Sequence, residues 1–278
     1  MTERSKGNRG MNIGYGLATA LLMLSASTAS AADASASIIG QWRIVSGATD
    51  NYATTYLDTQ VNDPRYVGRV IHFDRDSVSG ELIKDIDCQQ PAYRAQPPMT
   101  LNAAILKTSG ERRAEPKIPV AGDFDLASYG NQKVTPILLQ CQKGYLGPDG
   151  EAMDNWVALL SADKMVMNWD DGSYFVLQRV KAGEKVTPSF SCSARLNAVE
   201  QTICASDDLA AWDVSVTDAW KTQLLEQQEI DPADKAAVAQ IKSAQRAWLA
   251  KRNQCQADAA CIKKSMKARV SELSSKTY

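Results

Sequence analysis

The chain has 278 residues, of which 44% are hydrophobic and 23% are charged, and its formal net charge is −1. This length suggests one large domain or two ordinary ones, and the composition is that of a globular protein that can bury a core. A near-neutral chain lacks the basic surplus that a nucleic-acid-binding surface needs, so we expect no nucleic-acid partner.

The N-terminus has the layout of a secretory signal peptide. Basic residues between positions 4 and 9 precede an apolar stretch over 13–24, and Ala29 and Ala31 then form an A-x-A cleavage pattern. The apolar stretch is too short to span a hydrocarbon layer of about 30 Å. We therefore predict a signal peptide over residues 1–31 and a periplasmic or secreted protein that does not span the membrane once processed. No cysteine lies near the cleavage point, so we expect no lipid anchor.

Residues 38–182 have the pattern of an all-β domain. Short runs rich in β-branched and aromatic residues recur along it, including GQWRIV at 40–45 and VGRVIHF at 67–73. Two apolar runs flank Asp170-Asp171-Gly172, which predicts a hairpin. Many short antiparallel strands joined by turns favour a β-barrel or a β-sandwich.

The hydrophobic period changes after the polar stretch at 181–188, and residues 188–278 have the pattern of a helical bundle. Asp231 followed by Pro232 resembles a helix cap with proline at the first helical position. Apolar residues recur at helical spacing in three stripes, which predicts three core-facing helices. The stripes are Leu209, Trp212, Val216 and Ala219; then Ala237, Ile241, Ala244 and Trp248; then Ile262, Met266, Val270 and Leu273. The fold class is therefore α+β, with two domains.

Six cysteines follow the predicted cleavage point. In an exported protein an even number favours disulfides over catalytic thiols or zinc ligands, and six cysteines allow fifteen pairings. Pairing within one domain at a time gives Cys88–Cys141 in the β domain, and Cys192–Cys204 and Cys255–Cys261 in the helical domain.

The stretch QRAWLAKRNQC, residues 245–255, places Trp248 and Arg252 on one helical face. Trp248 is most simply a core anchor. An inward guanidinium must find a partner because an unpaired buried charge is costly. Asp213, one turn past Leu209, is the predicted partner, with Glu200 as the alternative. We therefore interpret the stretch as architecture.

An ordered set of residues runs through the helical half of the chain. It consists of Phe190, Cys192, Glu200, Ile203, Cys204, Leu209, Asp213, Gln245, Trp248, Leu249, Arg252, Cys255, Cys261, Arg269 and Leu273. In this set, residues 188–278 resemble the LprI-type lysozyme-inhibitor family, small helical and cysteine-bearing domains of exported bacterial proteins. The chain departs from the family pattern at Ser191, Trp220 and Met266. The resemblance covers about a third of the chain, and it implies the fold and inhibition of lysozyme by protein contact.

The β domain is similar to lipocalin-like barrels in two features. Gly40 and Trp42 form a Gly-x-Trp at the start of the first predicted strand, and Arg179 lies in the last. This likeness implies a barrel whose mouth could hold a small apolar ligand.

No arrangement of residues predicts a catalytic centre, a metal site or a cofactor. His72 is the single histidine and lies in a predicted strand, and neighbouring turn residues such as Asp170 and Asp171 point apart. No glycine-rich phosphate loop is present.

A polar, aperiodic stretch at 108–132 is predicted to be a long loop. Its basic residues Arg112, Arg113 and Lys117 could pair with carboxylates in a lysozyme cleft, or the loop could simply be solvated.

The sequence thus predicts an exported, non-enzymatic protein that binds lysozyme or another glycan-cleaving enzyme. The alternative is a periplasmic carrier of a small apolar ligand in the barrel. An open, apolar-lined barrel would favour the carrier and a filled barrel the binder.

Overall fold

The computed structural model describes residues 1, 36–50, 52, 59–83, 85–109, 118–147, 155–169 and 172–275. Within these residues the fold is α+β, as predicted: an N-terminal ten-stranded antiparallel sheet is followed by a C-terminal group of helices. The predicted signal peptide, apart from Met1, lies outside the described residues.

The N-terminal sheet has the strand order β5-β8-β10-β11-β12-β1-β2-β3-β4-β9, and β6 pairs separately with β7. Trp169 on β11 pairs with Ser173 on β12, so the predicted hairpin is confirmed. The described strands are β1 (Gly40–Ala48), β2 (Val70–Phe73), β3 (Ser77–Gly80), β4 (Ile86–Gln89), β5 (Ala92–Ala95), β6 (Met99–Thr100), β7 (Lys133–Val134), β8 (Ile137–Gln140), β9 (Lys143–Tyr145), β10 (Trp156–Ser161), β11 (Lys164–Trp169) and β12 (Ser173–Arg179).

The sheet curls into a half-barrel, so that its two ends approach each other. Only Cys141 and Gln142 separate β8 from β9, although these strands lie near opposite ends of the strand order. A disulfide between Cys88 on β4 and Cys141 joins the ends, with their Cα atoms 5.3 Å apart. Gly144 lies opposite Cys88 at φ +88°, where a Cβ would lie 1.6 Å from the carbonyl oxygen of Asp87. Glycine is therefore required at this close approach.

The concave face of the sheet is filled by side chains. Trp42, Phe73, Trp169 and Phe175 are buried together there with aliphatic residues from strands between β8 and β4. The ring of Trp169 stacks on Phe175 at 5.3 Å between centroids. Burial of these aromatic and aliphatic side chains stabilises the β domain.

A helix that the sequence did not predict covers part of the other face. Helix α1 (Leu101–Ser109) buries Leu101, Ala104 and Ile105 against β10, β11 and β12. The indole Nε1 of Trp156 donates to Thr108 Oγ1 at 2.9 Å. Part of the predicted loop at 108–132 is also structured, because 3₁₀ turns at Ala121–Phe124 and Ala127–Tyr129 place Phe124 in this second core.

The helical domain contains α2 (Ala198–Cys204), α3 (Asp207–Ile230), α4 (Lys235–Arg252) and α5 (Ala259–Ser274). Its disulfides are Cys192–Cys204 and Cys255–Cys261, so all six cysteines have the partners preferred from the sequence. Residues of the first and third predicted stripes form the buried core, among them Trp212, Val216, Ile262 and Met266.

Helix α4 differs from its prediction. Its apolar stripe is half-buried or exposed, and its buried residues are the polar Gln245 and Arg252. Trp248 packs half-buried at the margin of the core. The cap is also displaced, because Asp234, not Asp231, accepts a hydrogen bond from Ala237 N at 2.8 Å. Helix α4 therefore packs through polar contacts more than through its apolar stripe.

The two domains are in contact, a point that the sequence left open. Lys263 on α5 pairs with Glu81, which directly follows β3, and, at 3.0 Å, with Asp208 on α3. Lys267 Nζ lies 3.5 Å from Asp85 Oδ1. These contacts place α3 and α5 against the outer face of β1–β4, which leaves the opposite side of the bundle, towards α4, facing away from the sheet.

Arg69 is buried at this contact and is 2% exposed. Its Cζ lies 3.6 Å from the ring centroid of Trp212, and its Nη2 donates to Ser215 Oγ at 3.0 Å. Its Nε and Nη1 have no hydrogen-bond partner among the described residues. Burial lowers the pKa of Arg69 to about 9, against the opposing effect of Asp208. The cation–π contact offsets part of this desolvation.

Candidate functional site

A groove of about 440 Å³ is lined by residues of α2, α3 and α4 and by the stretch at 189–190. The groove collects residues that are far apart in the sequence. Seven of the residues that carry the family resemblance line it: Phe190, Glu200, Asp213, Gln245, Trp248, Leu249 and Arg252.

The floor of the groove contains the predicted ion pair. Arg252 Nη1 lies 3.5 Å from Asp213 Oδ1, and the two side chains are 4% and 7% exposed. The other oxygen of Asp213 accepts hydrogen bonds from the backbone N and the Oγ of Ser189, at 2.8 and 2.6 Å. Burial lowers the pKa of Arg252, while the charges of Asp213 and Glu200 oppose that shift. Asp213 is thus the contact partner and Glu200 acts through its charge.

A second guanidinium, that of Arg269, also contacts Trp248. Arg269 donates from Nε and Nη2 to Gln245 Oε1, at 3.1 and 3.0 Å. The ring centroid of Trp248 lies 5.4 Å from Arg252 Cζ and 5.9 Å from Arg269 Cζ. These distances are typical of cation–π contacts. The stretch QRAWLAKRNQC therefore holds α4 in place through polar and cation–π contacts, without a fully apolar interface.

The rim of the groove was not predicted. Lys242 and Arg246 lie one turn apart on α4, are exposed, and form no ion pair with another described residue. Trp220 on α3 lines the groove half-buried, and its Nε1 is buried without an acceptor among the described residues. The basic character of the chain after residue 235 was the available signal. The groove thus combines an aromatic wall, a floor that contains an ion pair, and a rim that carries two cations.

Other candidate residues lie elsewhere. Arg112, Arg113, Lys117, Asp170 and Asp171 are outside the described residues.

His72 lines a separate cleft between the sheet and α3. In the part of the chain that the structure describes, no group of three or more His, Cys, Asp or Glu side chains is placed to hold a metal ion. The described helices include none that is both long and apolar enough to cross a membrane.

Comparison with known proteins gives a match to a family model. The sequence model of the family described as "Lysozyme inhibitor LprI" matches residues 192–273, the helical domain that contains the groove. The suspected resemblance of the C-terminal region is therefore confirmed. No curated protein and no solved structure matches the chain.

Proposed function

We propose that this chain is an exported, non-enzymatic binding protein that inhibits lysozyme, or another glycan-cleaving enzyme, through protein–protein contact. The observation that carries the proposal is the match of residues 192–273 to a family described as lysozyme inhibitors. The convergence of the family-pattern residues on one groove supports it, because it ties the matched pattern to a single surface.

Export to the periplasm or the exterior is part of the proposal. It rests on the signal-peptide pattern of residues 1–31 and on the three disulfides. Disulfides persist in oxidising compartments and are rare in the cytosol. We expect the exported chain to begin near Ala32 and to contain both domains, 38–182 and 188–278.

The test is the lysis of suspended bacterial cell walls by lysozyme, measured with increasing amounts of the chain that begins at Ala32. We expect lysis to fall to near zero once the chain is in molar excess over the enzyme. Full lysis at a hundred-fold excess would rule out the proposal. The same protein after reduction of its disulfides is the control, and we expect it to inhibit less.

The rival function is a carrier that holds a small apolar ligand in the barrel. The concave face of the sheet is occupied by Trp42, Trp169, Phe175 and their neighbours, which leaves the interior filled. A filled interior favours the binding protein over the carrier. The carrier function would be favoured instead if the full chain bound a fluorescent fatty acid saturably and unlabelled ligand displaced it.

The basic residues Arg112, Arg113 and Lys117 remain a second hypothesis for the contact surface. Their charges suit the paired carboxylates that most glycosidases use. Deletion of residues 110–120 should weaken inhibition at least ten-fold if they make the contact. Unchanged inhibition would assign the contact to another surface.

A further inference from the structure

The groove of the helical domain has the size of a small-ligand site. Its volume of about 440 Å³ lies within the range of roughly 300–1,000 Å³ that is usual for such sites. A protein partner would instead need about 800 Å² of surface on each side. The groove itself therefore has room for a compact ligand, and a protein contact would also have to use the surface around it.

The wall of the groove offers an aromatic surface. The ring of Trp248 already makes cation–π contacts with Arg252 and Arg269. Trp220, on the facing helix α3, is half-buried and has no ring or cation contact within the described parts of the chain. An indole ring of this kind can pack against the C–H face of a sugar ring while hydroxyl groups remain free to form hydrogen bonds.

The charges in the groove determine which of the ligands that can pack on an aromatic ring it favours. Lys242 and Arg246 supply two cations at the rim, and charge-assisted hydrogen bonds from such groups to a carboxylate are strong. Glu200 lies in the same groove, and its carboxylate would repel a dianionic phosphate, whereas the charge of Asp213 is already paired with Arg252. Carboxylates also accept hydrogen bonds from hydroxyl groups. This combination suits a ligand with several hydroxyls and a single negative charge.

We propose that this groove binds a carboxylate-bearing sugar, with Trp220 under the sugar ring and the carboxylate paired with Lys242 and Arg246. The acidic amino sugar of the bacterial cell wall has this chemistry. The inference goes beyond the proposed function, because it needs no contact with lysozyme. A protein that binds this sugar would be held on the wall, at the place where lysozyme acts.

The test is calorimetric titration of the full chain, without residues 1–31, with the disaccharide of N-acetylglucosamine and N-acetylmuramic acid. The neutral disaccharide of N-acetylglucosamine, which lacks the carboxylate, is the matched ligand. We expect the acidic disaccharide to bind at least ten-fold more tightly. No binding of either sugar, or equal binding of both, would overturn the proposal.

Two double variants on α4 distinguish a specific effect of the two rim cations from a general effect of the charge on the helix. Lys242→Glu with Arg246→Glu should weaken binding of the acidic disaccharide at least ten-fold. Lys235→Glu with Lys251→Glu makes the same charge change at exposed positions of the same helix outside the groove, and should weaken it less than two-fold. All four positions are exposed, so we expect unchanged circular dichroism. Equal losses in both variants would overturn the proposal.

Two further ligands and one further variant complete the design. Trp220→Ala should weaken binding of both disaccharides, because it removes the stacking surface and not the cations. An acidic hexapeptide and inorganic phosphate should bind at least ten-fold more weakly than the acidic disaccharide. If the peptide binds as tightly, the groove is a protein-docking site; if phosphate does, it is a general anion site. Either result would contradict the proposal that the groove binds a carboxylate-bearing sugar.

Discussion

The two domains of this protein are stabilised in different ways. The curled sheet buries large aromatic side chains on one face and a helix on the other, so its core is predominantly apolar. The helical domain has a smaller core and buries Asp213, Gln245, Arg252 and Arg269 beside it. A domain that buries ion pairs tolerates little change in the individual partners, because an unpaired buried charge is costly. It also places one of these ion pairs at the floor of the groove.

The largest expected contrast comes from the disulfides. Cys88–Cys141 closes a 53-residue separation and Cys255–Cys261 closes one of 6 residues. In the chain-entropy model these crosslinks stabilise by about 4 and about 2 kcal/mol. Replacing each pair by alanine should therefore lower the free energy of unfolding more in the β domain, as measured by denaturation in urea. Equal losses would mean that loop closure is not the main contribution of these crosslinks.

The buried ion pair gives the next effect. Asp213→Ala leaves Arg252 buried without its carboxylate and removes the acceptor of Ser189. We expect the free energy of unfolding to fall by about 3 kcal/mol. Asp218→Ala, at an exposed position of the same helix, should change it by less than about 0.5 kcal/mol. Similar results for the two variants would show that the pair does not stabilise the helical domain.

Arg69 tests whether the contact between the domains depends on charge or on packing. Arg69→Met keeps the packing on Trp212 and removes the desolvated cation, so stability should be unchanged or up to about 1 kcal/mol higher. Arg69→Ala also removes the packing and should cost about 2 kcal/mol. Both are read from thermal unfolding of the full chain. A methionine variant as unstable as the alanine variant would show that the charge is required.

The smallest expected effect is on pH dependence. Asp207 Oδ1 accepts a hydrogen bond from Val186 N at 3.0 Å, and this bond, with Lys185, holds the pKa of Asp207 below its usual value. A carboxylate with a lowered pKa stabilises the fold above its unfolded pKa and loses that contribution as pH falls through the folded value. The melting temperature of Asp207→Asn should therefore fall less steeply on acidification than that of the wild type. Identical acid slopes would contradict this role.

The sequence predicted what depends on local pattern. Apolar periodicity predicted the strand pair around Gly172 and the buried stripe from Leu209 to Ala219, and both are present. The pairing of Arg252 with Asp213 followed from the cost of a buried charge. These features each need only a short segment, or one constraint between two segments, to be specified.

The rest depended on contacts between distant segments. Helix α1 is nine residues long and lies between strands, so its short apolar pattern resembled more strand. Arg69 contacts Ser215 across 146 positions, and no local pattern marks that pair. The cationic rim of Lys242 and Arg246 became visible only when Trp220 and Glu200 were placed across from it.

The most direct test of inhibition by protein contact uses two substrates of lysozyme. One is the bacterial cell wall, and the other is a short, soluble, neutral oligosaccharide that lacks carboxylates. If the protein acts by binding the enzyme, hydrolysis of both substrates should fall at the same concentration of the chain that begins at Ala32. If wall lysis falls while hydrolysis of the soluble substrate is unchanged, the protein covers the wall without binding the enzyme, and the central claim is wrong.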